Sequence, residues 1–122
     1  MPERYIKLIQ DVLSPDLLKP EYRELNIGNP MYGHCYAATE ALFHLIGGLD
    51  SGWFPVRGKD ENGVTHWWLQ NQEDLIADPT AEKYLSKGLT PPYPNGVRGG
   101  FMTGYDNPSK RATIIMQRVS NL

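Results

Sequence analysis

The chain has 122 residues, 40% of them hydrophobic and 21% charged, with a formal charge of −2. This length and balance fit one compact domain, residues 1–122, with a single modest core. They offer no basic field for a nucleic-acid partner and no apolar run long enough to span a membrane. The one cysteine, Cys35, cannot close an internal disulfide. With no signal-peptide pattern after Met1-Pro2-Glu3, a reducing, cytoplasmic setting is expected.

Residues 3–13 read as a helix, with Ile6, Ile9 and Leu13 on one face and Pro2 suited to a first turn. Ser14-Pro15-Asp16 restarts a short helical piece around Leu17 and Leu18, which Pro20 ends. Residues 20–34 are rich in turn formers, among them Asn26, Gly28, Asn29, Pro30 and Gly33.

The chain is organised around the stretch that follows. Ala38, Ala41, Leu42, Leu45 and Ile46 have helical spacing, and Gly47-Gly48 is a stop. Cys35 then falls in the first turn, on the packed side with Leu42 and Ile46, while His44 points away to the surface. Free backbone N–H groups at a helix start stabilise a thiolate.

Residues 52–58 read as a strand, and Pro55 makes it an edge strand or a bulged one. Lys59 to Gly63 is a hairpin turn signalled by Asn62-Gly63. Residues 64–70 are β-branched and aromatic and read as a central strand. Residues 75–78 form a short strand, and residues 81–86 one or two helical turns. Residues 88–107 are irregular, a length that in so small a domain is usually functional or mobile. Asn107-Pro108 reads as a cap and first-turn proline for a last helix over 108–119, although the β-branched run at 112–116 also permits a strand.

A turn centred on Gln72 would pair Gln70 with Asp74, Trp68 with Ile76 and His66 with Asp78. Directly opposed residues share a sheet face with Cβ atoms about 4.5–5.5 Å apart, and a one-residue slip would separate them. In that register Asp78 orients the His66 imidazole, Trp68 shares their face, and Trp67 and Leu69 face the core or a helix. Trp68 would wall a substrate cleft or keep water from the ion pair. Cys35, His66 and Asp78 then form a nucleophile, a base and an orienter. The developing oxyanion needs donors. The backbone N–H of Cys35 or Tyr36 offers one, and Asn26, Asn29 or His34 a second.

The order Cys, His, Asp resembles the transglutaminase-like branch of the papain-like cysteine-enzyme superfamily. His66-Trp67-Trp68 resembles that family's His-x-Trp, Asp78-Pro79-Thr80 its Asp-Pro-Thr, and Gly33-His34-Cys35-Tyr36-Ala37-Ala38 its nucleophile-helix pattern. The resemblance covers about residues 30–80. It implies an α+β domain with the nucleophile-bearing helix packed on a small antiparallel sheet. It also implies thiol-dependent hydrolysis of an amide or thioester in a protein or peptide substrate, or acyl transfer, without a cofactor. No metal is expected, because Cys35 with His34, His44 or His66 has no zinc-ligand spacing.

Other readings compete. Cys35 can be a core residue, His66 a satisfied structural histidine, and Asp78 the cap of the following turn. The fold can serve as a binding or inhibitory module. Tyr93, Phe101 and Tyr105 can anchor a partner through an exposed apolar patch. Lys110, Arg111 and Arg118 read as solvated surface.

Overall fold

The computed structural model describes residues 2–18 and 34–122. Helix α1 spans Pro2–Val12, α2 Cys35–Leu45, the short α3 Glu82–Leu85 and α4 Lys110–Ser120. Strands β1 (Phe54–Lys59), β2 (Thr65–Gln70), β3 (Ile76–Ala77) and β4 (Val97–Arg98) form one antiparallel sheet in the order β3-β2-β1-β4. Among the described residues this is a mixed α+β fold, with helices packed on a small antiparallel sheet.

The alternation of β2 divides its side chains between two faces. Trp67 and Leu69 face the helices and join Ile9, Ala38, Leu42, Phe43 and Ile115 in the main core. His66 and Trp68 face the other way. That second face is covered by α3 and by residues 91–96, whose Tyr93 packs on Trp68 with ring centroids 5.1 Å apart. No helix among the described residues is long and apolar enough to cross a membrane.

Both hairpins around β2 use the same turn. Asp60 N donates to Val64 O and Asn71 N to Leu75 O, each closing a loop of three residues. In each, the first residue's Oδ1 accepts two backbone N–H groups: Asp60 from Asn62 and Val64, Asn71 from Glu73 and Leu75. The third loop residue takes the left-handed region, with φ +76° at Gly63 and φ +61° at Asp74. A type I turn followed by a left-handed residue is a standard three-residue hairpin, and aspartate tolerates that φ better than most residues.

This turn corrects the expected register. Leu69 pairs with Ala77 and Gln70 with Ile76, so the pairing is shifted by two residues from the expected Gln70–Asp74 and Trp68–Ile76. Because the shift is even, every side chain keeps its face. Asp78 lies just beyond the end of β3 and reaches His66 diagonally rather than from directly opposite.

Three further expectations change. Strand β1 is interior, not an edge: Pro55 is accommodated because β4 has only two residues, and Pro55 contributes only its carbonyl, which accepts from Gly99 N at 3.2 Å. The 88–107 stretch is not wholly irregular, since it contributes β4 and a 3-10 turn at Tyr93–Asn95. The final segment is a helix, but its N-cap is Ser109, whose Oγ accepts from Ala112 N, and not Asn107.

Two polar residues tie α4 to the rest. Glu40, wholly buried on α2, accepts from Thr103 Oγ1 at 2.5 Å and from Ser109 N at 3.0 Å, at the entry to α4. Arg118 is a bridge rather than free surface. It donates to Val12 O, the carbonyl end of α1, and to Ser14 Oγ and Asp16 Oδ2.

Candidate active site around Cys35

The edge of β2 over residues 65–67 extends past the end of β3, and the start of α2 covers it. Thr39 Oγ1 donates to Trp67 O at 3.1 Å, and the Cys35 thiol points to Thr65 O at 3.7 Å. Two exposed backbone positions of the strand edge are thus capped by side chains one helical turn apart. The same contact fixes Cys35 beside His66, the residue between them in sequence.

His66 is wholly buried. Its Nε2–H donates to Asp78 Oδ2 at 2.6 Å, which leaves Nδ1 as the nitrogen available to the thiol. Nδ1 has no hydrogen-bond partner among the described residues, and the thiol itself is directed at Thr65 O. Burial alone would push the Cys35 thiol up. The hydrogen-bonding interaction with His66, the nearby Lys83 charge and the Trp67 amide outweigh it, so the thiol lies below its ordinary range. Burial works against the imidazolium too, yet the hydrogen bond to Asp78 and the neighbouring Cys35 raise His66 above its ordinary value. A lowered thiol beside a raised imidazole is the condition for a thiolate–imidazolium pair.

Asp78 is held by four donors. Oδ1 accepts from Thr80 N at 3.0 Å and from Thr80 Oγ1 at 3.5 Å; Oδ2 accepts from His66 Nε2 and from Tyr93 Oη at 2.8 Å. Asp78 thus caps the following turn through Oδ1 and holds the His66 ring through Oδ2. The Pro79 carbonyl is anchored from behind by Gln10 Nε2 of α1 at 3.2 Å.

Two tyrosines complete the surroundings of His66. The Tyr84 ring meets the imidazole edge-on at 4.9 Å, and its hydroxyl donates to Asp60 Oδ2 at 2.8 Å. Tyr93 binds Asp78 directly. Burial and the neighbouring carboxylates raise both phenols, so each remains a donor. The sequence alone places neither tyrosine at this site. Tyr93 comes from a loop far along the chain, and only its position in the aromatic and proline-rich 88–107 stretch marked it.

The other sequence candidates are distributed as follows. Trp68 is fully buried beneath residues 91–96 and stacks near His66 at 5.8 Å. It therefore excludes water from the pair and does not wall an open cleft. The Tyr36 side chain is committed to packing against Trp67 and Phe101, and its hydroxyl accepts from Met102 N. Its backbone amide is in the first turn of α2, where helix geometry provides no acceptor and no side chain caps the N-terminus. Asn26 and Asn29 lie outside the described residues. His44 is half-buried against Phe43 rather than at the surface. Phe101 is buried between Tyr36, Phe43 and Trp67, and Tyr93 is engaged by Asp78, so of the three expected anchors only Tyr105 is exposed.

His34 immediately precedes the nucleophile candidate and is wholly buried, with both ring nitrogens unpartnered among the described residues. Burial, reinforced by the Arg111 charge, lowers it from 6.5 to about 4. The unfolded chain binds a proton there more readily than the folded one. The folded state is therefore penalised as pH falls below 6.5, by up to about 3 kcal/mol once pH reaches the folded value near 4. Denaturant titrations at pH 7 and pH 4.5 should show this acid loss in the native protein. In His34→Leu the loss should shrink by about 2 kcal/mol; an unchanged pH dependence would contradict the buried neutral imidazole.

No family model matches the chain, and no curated protein or solved structure is significantly similar to it.

Proposed function

We propose that the chain is a thiol-dependent hydrolase of an amide or thioester bond, built on a papain-like fold of the transglutaminase-like type. The observation that carries this reading is the His66 imidazole, fixed by Asp78 through Nε2 with Nδ1 left unpartnered, next to a Cys35 thiol that lies 3.7 Å from the carbonyl of the preceding residue, Thr65. Cys35 attacks the carbonyl carbon as thiolate, and first-turn amides of α2 receive the oxyanion. His66 gives its proton to the leaving group, leaving an acyl-thioester on Cys35. It then takes a proton from the water that releases the acid.

Resolution by an amine instead of water would make the chain an acyltransferase, with the same residues in the same roles. Cys35 is only 9% exposed, and this favours a second reading, a binding or inhibitory module on the same fold whose thiol is inert. A protein or peptide substrate in a reducing, cytoplasmic setting suits the first reading.

The test is acyl-enzyme trapping. Incubation with a panel of peptide thioesters and activated esters, followed by intact-mass spectrometry, should add one acyl group to the native chain and none to Cys35→Ala. Absence of any adduct on the native chain, with the thiol slow toward iodoacetamide, would favour the module.

A further inference from the structure

One residue of the thiol's surroundings, Thr65, also lines a cavity of about 360 Å³, whose other walls are Arg57, Lys59, Asn95 and Val97 with the Gly58 backbone. Thr65 belongs to both places: its carbonyl receives the Cys35 thiol, and the residue lines the cavity. The register explains the lining. Lys59 pairs with Thr65, and Arg57 with Trp67 on one side and Val97 on the other, so these side chains share the face on which α2 packs.

The cavity is basic, and no acidic residue lines it. Among the described residues neither Arg57 nor Lys59 is ion-paired. The Arg57 guanidinium is held in place: it lies over the Trp67 ring, 5.8 Å from its centroid. On its other side it lies against Gly99, where a Cβ would come within 2.1 Å of Nη1. Asp60, the nearest acid in sequence, turns its carboxylate to Tyr84 Oη and to the Asn62 and Val64 amides. Two cations without carboxylates, one of them fixed by packing, make a receptor for an anion.

We propose that the substrate carries a carboxylate close to its scissile carbonyl, as an acidic peptide does, and that Arg57 and Lys59 receive it while Cys35 attacks. The proposal rests on the hydrolase reading and names its substrate class. No redox or metal step is involved; the bond chemistry is that already given.

Iodoacetate and iodoacetamide test it, because they alkylate the same sulfur and differ in size little but in charge by one unit. The readout is the ratio of their rate constants on Cys35, divided by the same ratio for N-acetylcysteine. In low salt the native protein should exceed the free thiol by about fivefold or more, and molar salt should remove most of the excess. Lys59→Glu, at an exposed side chain with no polar contact, should lower the ratio about threefold. Arg57→Glu/Lys59→Glu should lower it further, and because both reagents consume the same thiolate the ratio cancels any change in thiolate fraction. A native ratio at or below the free-thiol value would overturn the proposal, as would a ratio that Lys59→Glu and salt leave unmoved. A thiol slow toward iodoacetamide at neutral pH is a separate failure, of the hydrolase reading itself.

Discussion

Asp78→Asn is expected to reduce acyl transfer by about 10²–10⁴-fold, the contribution of a correctly oriented acid–base imidazole. The reason is a count of acceptors. The native carboxylate takes Thr80 N and Oγ1 on Oδ1, and His66 Nε2 and Tyr93 Oη on Oδ2. An asparagine has one acceptor oxygen and one NH₂ group. If the oxygen stays with Thr80, the NH₂ meets two donors, and His66 loses both its orientation and the charge that favours imidazolium. If the amide flips, the Thr80 N–H is left buried without a partner. Either arrangement costs about 1–3 kcal/mol of stability. The Cys35 thiol should rise with the loss of its imidazolium, which iodoacetamide kinetics would register. An Asp78→Asn protein with native acylation rate would show that the carboxylate only caps the turn.

Gly96→Ala should be nearly as damaging, although residue 96 touches no reacting atom. A Cβ there would lie 2.7 Å from Trp68 Cζ2 and 2.8 Å from Val56 Cγ1, both too close to tolerate. The backbone at Gly96 has φ −64°, open to any residue, so collision alone forbids the methyl group. The segment must lift from the sheet, at a cost of about 1–3 kcal/mol. Lifting it draws the Tyr93 hydroxyl away from Asp78 and admits water to Trp68 and His66. Tyr93→Phe isolates part of this effect, removing the one hydrogen bond while the ring stays on Trp68. We expect about a tenfold loss of acylation from Tyr93→Phe and a larger loss from Gly96→Ala, with thermal denaturation reading the stability term. Native melting and native rates in Gly96→Ala would contradict the close packing of this loop.

Much of the site was legible because it rests on local rules. Helical spacing up to Gly47-Gly48 placed Cys35 at a helix start, and β2's alternation put His66 and Trp68 on one face and Trp67 and Leu69 on the other. The register was legible in principle. Asp60 and Asn71 occupy the same position in two hairpins, with Gly63 and Asp74 three residues on. Reading Asn71 as the partner of Leu75 gives the observed pairing, whereas a turn centred on Gln72 treats Asp74 as an ordinary strand residue. Non-local features were out of reach. Tyr93 reaches Asp78 only because Gly58 and Gly96 let a loop lie flat on Trp68, and Tyr84 reaches Asp60 across the β1–β2 turn. Arg118 looks like surface in any local window, since its partners are more than a hundred residues away.

A thiolate–imidazolium pair of Cys35 and His66 near neutral pH is measured most directly by the rate of Cys35 alkylation by iodoacetamide against pH. The lowered thiol should make the native protein react rapidly below the usual thiol value of about 8.5. The thiolate should be lost only as pH falls through its own depressed pKa, and the imidazolium only as pH rises through the elevated His66 value. In His66→Ala the profile should move toward 8.5 and the neutral-pH rate should fall by about tenfold or more. A slow native reaction that His66→Ala leaves unchanged would contradict the account and leave Cys35 as a residue of the core.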